Sequence, residues 1–144
     1  MEPAQPSSAT RIPATVRAAA IILVAYGLAV LINATIDQNA LGWENIEARG
    51  FPRAVIRFLG MSLIAWALLK GARWAWWLGV LLPGFFLVGG VVGLGLIFRF
   101  RDEAPEVWSA VATPLLVLSF VALAAAIVLL LLPSSRAAFR RVAA

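Results

Sequence analysis

Four stretches that are free or nearly free of charge organise this chain. No charged residue falls between Ala18 and Ile36, between Trp74 and Phe98, or between Val107 and Leu132, and Arg57 is the one charge between Ala54 and Leu69. At 1.5 Å per residue, about 20 residues cross ~30 Å of hydrocarbon. The first stretch has that length, and the third and fourth are long enough to cross with tilt. The second is the shortest and the weakest by hydropathy. The pattern predicts an all-α, integral-membrane four-helix bundle with spans at about 18–36, 54–69, 74–98 and 107–132, within one domain covering 16–133.

The polar positions mark the joints. Residues 1–15 carry Pro3, Pro6 and Pro13 among Ser and Thr, cannot bury a hydrophobic face and are expected to be disordered. The apolar run that follows is longer than a signal-peptide core and lacks a small-x-small site after it, so it is expected to stay as an anchor. Trp43, Ile46 and Phe51 stand among Glu44, Glu47 and Arg49, which predicts a short interfacial segment at 38–51, at the level of the headgroups. Pro52 suits the first turn of a helix, where its missing N–H costs nothing. Lys70 to Arg73 form a tight turn that makes the second and third helices antiparallel neighbours. Pro133 closes the fourth span, and 134–144 form a basic tail with Arg136, Arg140 and Arg141.

Composition agrees with a membrane setting. Hydrophobic residues make up 62% of the 144 residues and charged ones 13%, with a mean hydropathy of +0.93; an average soluble domain has roughly 25% charged residues. The net charge of +5 raises the question of nucleic acid, but the cations stand at the ends of apolar runs, which is a topology signal. No nucleic-acid partner is expected. Arg11, Arg17, Lys70, Arg73, Arg136, Arg140 and Arg141 fall on one side of the predicted membrane and Arg49, Arg53, Arg57, Arg99 and Arg101 on the other, seven and five, which accounts for all 12 Lys and Arg. By the positive-inside rule both termini are expected in the cytoplasm. Lys70 is the single Lys, and the Arg-rich, Ala-rich usage fits a GC-rich bacterial source. The expected location is therefore a bacterial inner membrane.

Six tryptophans fit the same boundaries. Trp66, Trp74, Trp76 and Trp77 surround the turn between helices two and three, and Trp43 and Trp108 stand at the opposite ends of spans. Indoles favour the headgroup level, so all six are read as interface anchors, with an aromatic-ligand stack as the competing reading.

Missing residue types exclude most chemistry. With His and Cys both at 0, the chain has no disulfide, zinc thiolate, imidazole ligand or Cys or His nucleophile. The spans contain no acid, and Arg57 and Tyr26 are their only ionisable side chains. Arg stays protonated and cannot act as a base. A proton-coupled carrier needs a titratable carboxylate in the membrane, and the first span has none. The expectation is no enzyme activity, no cofactor and no metal.

Two constellations remain. On the third helix Ala75, Gly79, Pro83, Gly90 and Gly93 fall within about 40° of one line at 100° per residue, and Gly89 with Gly93 forms GxxxG. Such a face lets another backbone approach closely, within the bundle or from a partner chain; a hinge or a pore lining is the alternative. Pro83 removes the hydrogen bond to the Gly79 carbonyl, so a bend is expected. On the first helix Tyr26, Asn33 and Asp37 make a polar stripe within reach of Arg57. A cation at the bilayer centre costs roughly 2.5 to 3.5 kcal/mol on insertion scales. Three readings of Arg57 follow: snorkelling to the headgroups, an ion pair with Asp37, or binding of an anion or lipid phosphate.

The runs "KGARWAWWLGVLL" and "LLLLPSSRAAFRR" resemble the turn and tail of small four-span inner-membrane proteins of bacteria that have no assigned activity. The resemblance implies a location and a shape and carries no site residue. The expected role is non-enzymatic association, as an accessory or scaffolding subunit in the lipid bilayer beside another membrane protein or a second copy. The alternative is a small oligomeric transporter or channel.

Overall fold

The computed structural model describes residues 12–41, 50–99 and 112–141. Among them the backbone is all helical: α1 (Ala14–Leu41), α2 (Phe51–Leu69), α3 (Arg73–Arg99), α4 (Ala112–Leu131) and α5 (Pro133–Arg141). Three helices are long and apolar enough to cross a membrane. A fourth crossing is present if Val117–Leu131 and Pro133–Phe139, bent by 61° at their junction, count as one span. Residues 1–11 of the expected disordered tail 1–15, most of the expected interfacial segment 38–51, Trp43, Trp108 and the start of the fourth span lie outside the described residues, while Ala14 and Thr15, also expected in that tail, begin α1. Residues 38–41 continue α1.

Local chemistry sets the ends. Pro52 stands in the first turn of α2, where it breaks no internal bond. The other end of α2 closes with Gly71 at φ 75, the Ala72 N–H donating to the Ala67 carbonyl at 3.0 Å and the Gly71 N–H to that of Leu68 at 3.0 Å. This is a Schellman closure, and its left-handed residue needs the freedom of glycine. It turns the chain straight into α3, which continues as one helix through Pro83.

α1 packs most extensively on α2 and then on α4, while α3 lies against α4 and α2. Directions alternate. Trp76, near the start of α3, bonds to Leu130, near the end of α4, and Thr15 at the start of α1 bonds to Ser135 in α5. The start of α1, the Lys70–Ala72 turn and α5 therefore share one end. The core is built of Val16, Ala19, Leu23, Met61, Ile64, Ala67, Leu68, Ala75, Leu123, Ala126 and Leu130, with Phe139 inserted from α5.

Outside this core the surface is apolar. Ile56 is 70% exposed and Phe85 72%. Lipid tails solvate such side chains as well as a protein core does, so the helices gain by close fit rather than by escape from water. Small residues supply that fit. A Cβ on Gly27 would lie 3.2 Å from Phe58 Cα, and one on Gly79 would lie 3.0 Å from Leu130 Cδ1.

The bend after α4 has a chemical cause. Pro133 has no N–H to give the Leu129 carbonyl four residues earlier, so the helix breaks. The Ser135 hydroxyl donates to that carbonyl instead, at 2.7 Å. A carbonyl only accepts, which uses the one Ser135 proton; Thr15 must therefore be the donor in its 2.8 Å contact with Ser135. Residues 133–141, read from the sequence as the closing Pro133 and a basic tail, are thus a helix turned aside by 61° and tied to α1, with Ser135 fully buried.

Candidate functional site

A cleft of about 530 Å³ opens among the four long helices. α1 supplies Tyr26, Val30 and Asn33, which share one face by their spacings of four and three. α2 supplies Arg57, α3 supplies Phe85, Phe86, Gly89 and Gly90, and α4 supplies Ser119 and Phe120. Arg57 lies six residues into α2, about 9 Å along its axis. The cleft thus belongs to the half of the assembly away from Thr15, Gly71 and α5.

Three of the residues grouped from the sequence, Tyr26, Asn33 and Arg57, meet here. Asp37 is in the α1 backbone, but its side chain is outside the described residues. Tyr26 is 7% exposed, and it lines the cleft together with Arg57, whose charge acts on its phenol. Arg57 Cζ also stands 4.3 Å from the centroid of the Phe86 ring. The negative face of that ring attracts the cation, more so where water is scarce. An aromatic face covers the guanidinium on one side, and the Tyr26 hydroxyl lines the same cleft.

The glycines of α3 divide into two groups. Ala75, Gly79 and Pro83 are buried. Gly79 meets Leu130, Leu68 and Ile64, and a Cβ on Gly90 would run into the ring of Phe120. Among the described residues, Gly89 and Gly93 have nothing within 4 Å of the same added atom. The first group fits α3 to its own neighbours, and Gly89 leaves the cleft wall bare.

Sequence reasoning missed half of the lining. No motif or spacing in the sequence marks Phe85, Phe86, Ser119 or Phe120. Their convergence depends on the rotations of α3 and α4, which no spacing within one helix reports. Gly27 was missed as well; a lone small residue on α1 has no motif to mark it.

The tryptophans also divide. Trp66, Trp74 and Trp77 are exposed around the Lys70–Ala72 turn, and the Lys70 ammonium sits 5.4 Å from the Trp66 ring centroid. Trp76 is half-buried and spends its indole N–H on the Leu130 carbonyl at 2.9 Å.

The described lining offers one fixed cation, hydroxyls, an amide and apolar walls, and no carboxylate, imidazole or thiol. Such a set can hold an anion or a hydrogen-bond acceptor, but it supplies no general base. Comparisons of this chain with protein families, with curated proteins and with solved structures found no match.

Proposed function

We propose that this chain is a multi-pass protein of a bacterial inner membrane, a four-helix bundle with both termini in the cytoplasm. It acts without catalysis, by association, as an accessory or scaffolding subunit beside another membrane protein or a second copy. The observation that carries the reading is the division of the α3 glycines. Gly79 and Gly90 are used inside the chain, while Gly89 and Gly93, among the described residues, leave a bare strip next to exposed Val88 and Val92. Bare backbone at GxxxG spacing is what a further membrane helix packs against most closely. The shared end of α1, the Lys70–Ala72 turn and α5 supports the topology, since it gathers the more basic side. Alkaline phosphatase fused after Arg141 should be inactive and fused after Asn39 active; the reverse pattern overturns the orientation.

A second reading, a small oligomeric transporter or channel, is favoured by the cleft itself, which brings Tyr26, Asn33 and Arg57 together beside Gly89 and Gly90. The chain contains no Cys, so single cysteines at Gly89 and Gly93 report without background. Reaction of both with a membrane-impermeant thiol reagent supports a water-lined path. Silence at both positions removes it.

A further inference from the structure

We infer that the Arg57 cleft is a binding site for the oxyanion head of a membrane amphiphile, a phosphate or carboxylate carried on an alkyl chain. The inference rests on the membrane-spanning reading above and not on association through α3.

The recognition chemistry is local. Phe86 covers one side of the guanidinium, and Arg57 presents five N–H donors in a planar fork suited to two oxygens at once. Tyr26 lines the same cleft, and its hydroxyl carries a proton that it can give to an acceptor. An oxyanion placed there meets donors from α1 and α2 together. The volume, about 530 Å³, lies in the range of small-molecule sites, roughly 300 to 1,000 Å³. It has room for a headgroup and the first carbons of a chain.

The walls point to an amphiphile rather than a free ion. Val30, Phe85 and Phe120 line the same cleft, and the exposed surface around its α3 edge is apolar, from Phe85 to Val88 and Val92. A ligand entering over bare Gly89 therefore comes from the lipid side. Its head finds the cation, and its tail stays against apolar side chains. A free anion would have to cross the same apolar surface with its charge unscreened.

The test is a titration of the purified full chain in a neutral maltoside detergent, followed by native mass spectrometry, with phosphatidylglycerol and with phosphatidylcholine of the same acyl chains. The wild type should bind the anionic lipid about tenfold more tightly. Arg57→Gln should lose that preference. Gly89→Leu should lose both lipids by filling the cleft, and its Cβ meets no described atom within 4 Å; a melting temperature within a few degrees of the wild type checks that the variant is folded. Arg53→Gln, one turn away and exposed, and Gly93→Leu, outside the cleft, should bind as the wild type does.

Equal affinity for the two lipids, or a preference that survives Arg57→Gln or Gly89→Leu, overturns the inference. So does displacement of the lipid by inorganic phosphate at equal concentration, which would make the ligand a free ion. A tenfold rise in affinity in Asp37→Asn would also overturn it, by showing that the guanidinium already holds an internal carboxylate. Failure of the membrane reading looks different: an alkaline wash would release the chain from its membrane before any lipid is added.

Discussion

The indole N–H of Trp76 donates to the main-chain carbonyl of Leu130 across 2.9 Å, joining the first turn of α3 to the last turn of α4. Leu130 stands just before the Pro133 break, where the helix no longer supplies its regular donors. The bond therefore satisfies a carbonyl that the bend exposes. Trp77, the next residue, points outward and touches Trp76 edge-on at 4.9 Å between centroids. Trp76→Phe should lower stability by about 0.6 kcal/mol and at most about 1.7, the average and the maximum for hydrogen bonds between membrane helices. Trp77→Phe should change it by less than about 0.5 kcal/mol, as surface substitutions usually do. Thermal unfolding of the two variants in detergent checks the difference, and equal losses would deny Trp76 its structural role.

Ser135 closes the other half of the bend. Its hydroxyl bridges the Leu129 carbonyl and Thr15, and it is fully buried. Ser135→Ala should cost about 1 to 3 kcal/mol by leaving a buried carbonyl without a donor. Limited proteolysis after Arg136 should accelerate in the same variant, because α5 loses a tie to α1. Unchanged cleavage would mean that Phe139 alone holds the helix down.

The glycines of α1 and α3 make opposite predictions. Gly90→Ala should destabilise, since its Cβ runs into Phe120, and Phe120→Leu should relieve the loss. Gly27→Ala should destabilise by about 1 to 3 kcal/mol, because the nearest atom is the Phe58 backbone, which cannot turn aside. Gly89→Ala meets open space and should gain up to about 1 kcal/mol from helix propensity. Melting temperatures of the three single variants, compared in one detergent, decide it; a uniform response would contradict the packing described.

Ser62 offers a test in the stabilising direction. Its Oγ is buried and, among the described residues, has no hydrogen-bond partner. Ser62→Ala should therefore be neutral or stabilising by up to about 1 kcal/mol. A clear loss in the same melts would reveal a partner for the hydroxyl.

What was legible in the sequence was what a single helix carries by itself. Uncharged length marked α1 and α3, Pro52 marked the start of α2, and Gly71 marked the turn. The stripe of Tyr26 and Asn33 on α1 was legible for the same reason, since both lie on one helix. α5 was not legible, because Ser135 and Phe139 are held by partners on α1 and in the core, far away in sequence, and the charges beside them read as a tail. The cleft was half legible: Arg57 lay within reach of the α1 stripe, but Phe86, Ser119 and Phe120 join it only through the way α3 and α4 are rotated.

Association through α3 is the central claim, and native mass spectrometry of the chain extracted mildly from its own membrane tests it most directly. The account predicts the chain in a fixed-ratio complex with a second polypeptide or another copy, and predicts that Gly93→Leu releases it while the fold persists. A chain that is monomeric in both the wild type and the variant, carrying lipid alone, would contradict it.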